Sequence, residues 1–192
     1  QQGPSKDLIE SYLCSDGLPI SLSPLYEGDK TILEIMSNRD PRIKETFVSY
    51  ELRLPGVVSN YSSSGISTHK FLDEAIKNTV EATLDNNTSD APIMRYGEVL
   101  LNYAEVCAEL GQMTQADLDI SINELRKRKG IELPPLQIIG GNPAINGIIY
   151  DDTQRDPSVP SLIWEIRHER RIELVWEGLR LNDLRRWKKL EY

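Results

Sequence analysis

The chain has 192 residues and a mass of 21.8 kDa, enough for one large domain or two small ones. Hydrophobic residues make up 39% of it and charged residues 27%, a composition that can bury a core and that excludes wholesale disorder and fibrous repeats. The net charge of −8 argues against nucleic acid as a partner, because phosphate binding needs a basic surface, and no apolar run is long enough for a membrane-spanning helix.

Residues 1–90 are predicted to form a loop-rich segment. Turn signals such as Asp16-Gly17 recur along this segment, and the stretches between them are short. The candidates for regular structure are helices over about residues 5–13 and 30–37 and a strand over about 45–54. We expect this segment to pack on the rest of the chain and not to fold alone.

Residues 91–192 show the 3.6-residue periodicity of helices. A first helix is predicted to begin at Pro92, a favoured first helical residue, and to end at Gly111. Apolar or small residues cover most of its circumference, so we expect it to pack against at least two neighbours. The predicted buried positions are Ile93, Met94, Tyr96, Gly97, Leu100, Leu101, Tyr103, Ala104, Cys107 and Ala108, leaving one polar stripe of Arg95, Glu98, Asn102, Glu105 and Glu109.

A second helix is predicted over about residues 114–129. Thr114 and Asp117 have the spacing of a capping box, and Gly130 supplies a stop signal. Leu118, Ile122 and Leu125 are its expected buried residues. Together with the first helix it forms an antiparallel pair of the size and pattern of a tetratricopeptide unit.

A long Pro/Gly-rich loop is predicted over residues 130–160, with a hairpin turn at Asn146-Gly147. Two further helices are expected over about 161–176 and 179–190. The predicted fold is therefore mainly α, with tetratricopeptide-like antiparallel helix pairs in the second half and a loop-rich irregular segment in the first.

The third predicted helix carries four glutamates at i, i+4 spacing, from Glu165 to Glu177. Like charges at this spacing repel by roughly 0.2–0.5 kcal/mol per pair, so we expect arginines from neighbouring helices to neutralise the row. Arg128 is one candidate for this role. The predicted structural ion-pair lattice consists of Arg95, Glu98, Glu105, Arg126, Glu169, Arg170, Glu173, Glu177, Arg180 and Arg186.

The sequence gives little support to a metal or catalytic centre. Glu165 and His168 form a Glu-x-x-His motif, but a di-iron bundle needs that motif on two helices, and His69 has no acidic residue three positions before it. We therefore predict no metal site, no cofactor and no catalytic residue; Cys107 is expected inside a buried helix. A glycosidase-type carboxylate pair stays open, because its separation is a spatial property.

Tyrosines in the loop-rich segment are the candidate ligand-binding residues. Exposed rings on loops can stack on the apolar face of a ligand. The candidates are Tyr26, Tyr50 and Tyr61. Local packing is the alternative interpretation for each of them.

Two long strings resemble the hallmarks of one protein family. The first comprises residues 92–105, 109–111 and 122–128, and the second, residues 169–187, follows the pattern ERR-E-EG-R-DL-RW. Upstream, residues 4–12, 16–17 and 38–42 fit the approach to these strings. On these motifs the chain resembles the SusD/RagB nutrient-binding proteins of Bacteroidetes outer membranes.

The resemblance implies a non-catalytic protein of the outer-membrane surface. Such proteins capture oligosaccharides or other glycans, or in some cases peptides, and pass them to a SusC-like TonB-dependent transporter. The hallmark strings are then scaffold, and ligand residues are expected on variable loops, in residues 1–90. The alternative is a peptide-binding or transporter-docking scaffold that binds no sugar.

Two features depart from the usual family pattern. Members of the family are usually much longer, so the chain resembles a C-terminal portion. They also carry an N-terminal lipoprotein cysteine, whereas no apolar signal precedes Cys14. The resemblance implies that any membrane contact is made through a lipid anchor absent from this chain, as in a surface-exposed lipoprotein of full length.

Overall fold

The structure is a computed structural model that describes residues 3–49 and 92–190 and, between them, residues 62, 64, 66–68, 70, 71, 73–76, 79–82, 86 and 90. The described part is mainly helical, as predicted. Its helices are α1 (Lys6–Glu10), α2 (Ile32–Met36), α3 (Arg42–Thr46), α4 (Tyr96–Glu109), α5 (Gln115–Asp119), α6 (Ile122–Arg126), α7 (Ser161–Glu173) and α8 (Arg180–Arg186). Its strands are β1 (Phe47–Ser49), β2 (Ile66–Thr68), β3 (Gln137–Ile139), β4 (Asn142–Ile145) and β5 (Ile148–Ile149), and short 3-10 turns lie at Glu74–Ile76 and Val80–Ala82.

The two helices predicted near the start of the chain are present but shorter than expected. Ser5 caps α1 by accepting a hydrogen bond from the Leu8 amide, and Thr31 forms a capping box with Glu34 at α2. The chain leaves α1 early because it becomes extended at Cys14, where it forms an antiparallel bridge with Arg39.

The strand predicted over residues 45–54 was wrong at its start, because the chain is helical through Thr46. Pro41, with its fixed φ, leads into α3, and the Thr46 hydroxyl donates to the Arg42 carbonyl at 2.7 Å. Strand β1 then pairs antiparallel with β2. Residues 50–54 lie outside the described part.

Helix α4 is covered on one side by α6 and α7. Leu100, Leu101, Ala104 and Ala108 are buried there, as predicted, and so is Glu105, which the sequence pattern assigned to the polar stripe. Four expected core residues of this region are instead exposed: Ile93, Met94, Tyr96 and Tyr103. The described residues therefore supply neighbours for only one of its apolar faces.

The second predicted helix is divided into α5 and α6. The capping box at Thr114 and Asp117 is present, and Leu118, Ile122 and Leu125 are buried. The break falls at Ser121, whose hydroxyl donates to the Asp117 carbonyl. Such back-bonding competes with the helical hydrogen-bond pattern, which explains why a continuous apolar periodicity yields two short helices.

The predicted hairpin forms part of a three-stranded antiparallel sheet in the order β3-β4-β5. Asn146 and Gly147 connect the last two strands and have φ values of 51° and 79°. Positive φ at both central residues is the requirement of a type I′ turn, which Asn-Gly meets most readily.

Helix α7 joins two apolar clusters. Ile166 belongs to the larger one, with residues of α4, α5, α6 and the small sheet, whereas Ile172 and Val175 complete a second cluster built largely from the first 66 residues. None of the helices among the described residues has the length and apolar character to cross a membrane.

Candidate functional site

The glutamate row of α7 is largely buried and meets cations from several elements. Glu169 is 2% exposed; its Oε1 accepts from Arg42 Nη1 at 2.6 Å and its Oε2 from Arg126 Nε at 3.0 Å. One carboxylate thus binds both α3 and α6 to α7.

The next two glutamates of the row share their cations. Glu177 lies beyond α7, which ends at Glu173, so the predicted row on one helix face holds only from Glu165 to Glu173. Glu173 accepts hydrogen bonds from Arg42, Arg95 and Arg128 at 2.5–3.2 Å. Glu177 accepts from Arg95 and from Lys70 Nζ, the latter at 2.7 Å.

These partners keep the carboxyl groups ionised. Burial alone would raise the pKa of each group, but the neighbouring guanidinium groups hold the pKa of Glu169 at about 2. The pKa values of Glu173 and Glu177 are likewise lowered by Arg128, Arg95 and Lys70 against the effect of burial. A general acid needs a raised pKa, whereas the pKa values of Glu169, Glu173 and Glu177 are all lowered.

Four more residues of the predicted lattice lie on α8 or bind to it: Glu105, Arg170, Arg180 and Arg186. Arg186 binds Glu105 with two hydrogen bonds, and the Trp187 indole N–H donates to the same carboxylate at 2.6 Å. Arg170 donates to Asp183 at 2.8 Å and to Asn102 at 2.7 Å. The Arg180 guanidinium lies 5.6 Å from the centre of the Trp187 ring, and Glu98 makes no ion pair with a described residue.

The cations that the first segment contributes to the glutamate row were not predicted from the sequence. Arg42, held by Asp40 through hydrogen bonds of 2.7–3.1 Å, reaches Glu169 across 127 residues of sequence. Lys70 was missed for the same reason, since a contact over such a separation leaves no periodic signal. The only available signal was the resemblance of residues 38–42 to the family pattern.

The Glu-x-x-His motif joins α7 to the segment after α1. The His168 Nε2 atom contacts the Ser11 carbonyl, and Nδ1 lies 3.7 Å from Glu165 Oε2. Within the described residues no group of three or more His, Cys, Asp or Glu side chains is placed to hold a metal ion. His69 lies outside the described part.

Of the three candidate ligand-binding tyrosines, the structure describes Tyr26. It is partly exposed, with the Arg39 guanidinium 5.6 Å from its ring centre. The adjacent loop is pinned by Glu27, whose carboxylate accepts from Ser37 at 2.8 Å and from Asn38 at 2.7 Å. Tyr50 and Tyr61 lie outside the described residues.

Comparison with known proteins places these features in a family context. A sequence model of the SusD family matches residues 51–191. The fold is similar to that of a SusD-like carbohydrate binding protein from Bacteroides fragilis NCTC 9343, with 29% identity and a TM-score of 0.63. It also resembles the selenomethionine form of BT4246, with 21% identity and a TM-score of 0.65.

Each of these structural matches covers 97% of this chain and 35% of the other protein. The chain therefore spans about a third of the length of the solved structures that it matches. Among curated proteins no match is found.

Proposed function

The chain belongs to the SusD family, and we propose that it binds glycans at the outer-membrane surface without cleaving them. The observation that carries the proposal is this family membership, together with the similarity over 97% of the chain to a SusD-like carbohydrate binding protein. As the family resemblance implies, the bound oligosaccharide passes to a SusC-like TonB-dependent transporter.

Binding without cleavage agrees with the lowered pKa values of three acids of the glutamate row, Glu169, Glu173 and Glu177. Glycoside hydrolysis needs one carboxylic acid with a raised pKa beside an ionised carboxylate. The pKa of Glu169 is about 2, and the pKa values of Glu173 and Glu177 are also lowered. This row therefore serves as scaffold in our proposal.

In this proposal residues 1–90 supply the ligand face and residues 91–192 the helical support. Tyr26 is the described residue best suited to contact a sugar ring, because its loop is pinned by Glu27 and its ring is partly exposed. A fixed aromatic ring loses little conformational entropy on binding, which favours affinity.

The first test is binding calorimetry against a panel of oligosaccharides and peptides, with chromatography of the recovered ligand. We expect at least one glycan to bind and to be recovered intact. Tyr26→Ala should weaken binding by about 1–3 kcal/mol if the ring is a buried contact, whereas Tyr96→Ala, at an exposed tyrosine on α4, should leave it unchanged. Cleaved glycan would contradict the proposal.

A second candidate function is a protein-docking scaffold, and one surface favours it. The outer face of α4 carries Tyr96, Val99, Tyr103, Val106 and Leu110, all exposed. Their alternating three- and four-residue spacing is that of a helix-packing seam.

The same panel separates the two candidates. Peptide binding without glycan binding, lost in Tyr96→Ala and kept in Tyr26→Ala, would replace glycan capture by the docking function.

A further inference from the structure

Three side-chain atoms beside the larger apolar cluster are buried, and none of them has a hydrogen-bond partner among the described residues. They are Arg126 Nη2, Tyr150 Oη and Glu165 Oε2. The three residues are 1%, 8% and 1% exposed, so bulk solvent does not reach these atoms. An unpaired buried polar group costs free energy, and native structures pair the large majority of such groups. These three atoms therefore need an explanation.

The three residues lie close together. Arg126 Nε donates to Glu169 Oε2 at 3.0 Å, and Glu165 lies one turn before Glu169 on α7. Tyr150 directly follows β5 and belongs to the same apolar cluster as Ile166. Burial raises the pKa of the Tyr150 phenol and the Glu165 carboxylate raises it further, whereas Arg126 lowers it. Both charged groups therefore act on the phenol at short range.

Neighbouring contacts hold these side chains in place. Of the other two guanidinium nitrogens of Arg126, Nε is bonded to Glu169 and Nη1 donates to the Pro134 carbonyl at 3.3 Å. Turning Nη2 toward another residue would therefore break an existing bond. His168 Nδ1 lies 3.7 Å from Glu165 Oε2, beyond hydrogen-bonding distance, so it leaves the hydrogen-bonding capacity of this oxygen unused.

The chemistry of the three groups determines which species can bridge them. A guanidinium nitrogen only donates, a carboxylate oxygen only accepts, and a phenol hydroxyl can do either. A metal cation is disfavoured beside the Arg126 guanidinium, which offers no lone pair and repels positive charge, and the Glu165 carboxylate repels an anion. Water both donates and accepts, so it is the small species that satisfies all three groups.

We infer that one buried water molecule bridges Arg126 Nη2, Tyr150 Oη and Glu165 Oε2. The water accepts hydrogen bonds from Arg126 and Tyr150 and donates one to Glu165. Three hydrogen bonds are about the usual number for a buried water, and globular proteins hold about one such water per 27 residues. The bridge links α6, α7 and the end of the small sheet, and it does so independently of any bound glycan.

A crystal structure of the full chain tests the site directly. We expect an ordered water within about 2.7–3.2 Å of all three atoms. If the density shows no water there, or if the three side chains pair directly with one another, the inference is wrong.

Tyr150→Phe tests the bridge in solution through the sign of the stability change. If the water is present, the variant removes one of its three partners, and the melting temperature should fall by about 2–4 °C, the shift expected for one hydrogen bond in a chain of this size. If the hydroxyl has no partner, its removal ends the cost of burying it, and the melting temperature should stay the same or rise. That result would overturn the inference.

Tyr96→Phe is the control, because Tyr96 is 73% exposed on α4. Its melting temperature should equal that of the wild type. An equal fall in both variants would mean that losing a phenol hydroxyl lowers stability wherever it lies, and it would contradict the assignment of the effect to the bridge.

Discussion

The side chain of His168 is partly buried and joins two elements that are distant in sequence. Burial alone lowers the pKa of its imidazole, but the Glu165 carboxylate and the Ser11 carbonyl outweigh that effect and hold the pKa above its ordinary value. The Asp152 carboxylate also raises the pKa of His168. The charged imidazolium is therefore stabilised by folding, and it links α7 to the segment that follows α1.

This linkage predicts a pH dependence with a definite sign. Because the folded pKa of His168 exceeds the unfolded value of about 6.5, its stabilising contribution is complete below pH of about 6.5 and is lost as the pH rises through the folded pKa. The free energy of unfolding, measured with urea for the wild type and His168→Gln, should differ more at acidic than at alkaline pH. Equal differences at both would contradict the prediction.

The sequence predicted which glutamates are paired better than it predicted which cations pair with them. The spacing of Glu169 and Glu173 placed them on one helix face, and repulsion between them required cations nearby. Which cations those are depends on chain topology: Arg126 and Arg128 arrive from the adjacent helix pair, whereas Arg42 arrives from the first segment. No local sequence pattern predicts the contact of Arg42 with the glutamates of α7.

Among the elements, the short helices depend on their caps. Helix α5 has five residues, too few for its own backbone hydrogen bonds to sustain it. Thr114 accepts from the Asp117 amide while the Asp117 carboxylate accepts from the Thr114 amide at 2.9 Å. The capping box therefore contributes a large share of the local order.

Thr114→Ala should lower the free energy of unfolding by about 0.5–2 kcal/mol, because it leaves a backbone amide without its partner. Urea denaturation measures the change. Thr114→Ser keeps the hydroxyl and should lose much less. An equal loss in both variants would show that the methyl group, and not the cap, is what stabilises the helix.

Caps and turns were predicted better than the ends of helices. The capping box and the Asn146-Gly147 turn are contained within a few residues, and both are present. The helix start at Pro92 and the stop at Gly130 were wrong, because α4 begins at Tyr96 and α6 ends at Arg126. The break at Ser121 was missed, because the apolar periodicity continues through it. The outer face of α4 was predicted to be buried from its composition alone, which cannot specify what covers it.

At the scale of the whole molecule, α7 holds the two apolar clusters together. The first segment contributes Ile9, Tyr12, Ile43 and Phe47 to a cluster that Ile172 and Val175 of the second half complete. The family motifs predicted the mainly helical fold, whereas side chains on loops follow no periodicity, so the sequence pattern cannot identify a ligand face in the same way.

Arg42 tests whether the two halves form one cooperative unit. It is 6% exposed and binds Asp40, Glu169 and Glu173 together. Arg42→Met therefore leaves the buried Asp40 carboxylate without its ion-pair partner among the described residues, and it removes one of the cations that Glu169 and Glu173 share with other arginines. Breaking a buried ion pair in this way costs about 3–5 kcal/mol, and urea denaturation should show that loss.

Lys127→Met is the control, because the Lys127–Glu124 pair lies at the surface, where such pairs contribute about 0–1 kcal/mol. Amide hydrogen exchange of Arg42→Met should then show which elements are destabilised by the substitution. If the halves form one unit, amides of α7 and of the first segment exchange faster together, since each half supplies part of the other's core. Faster exchange confined to the first segment would mean that α7 and its partners hold their structure alone.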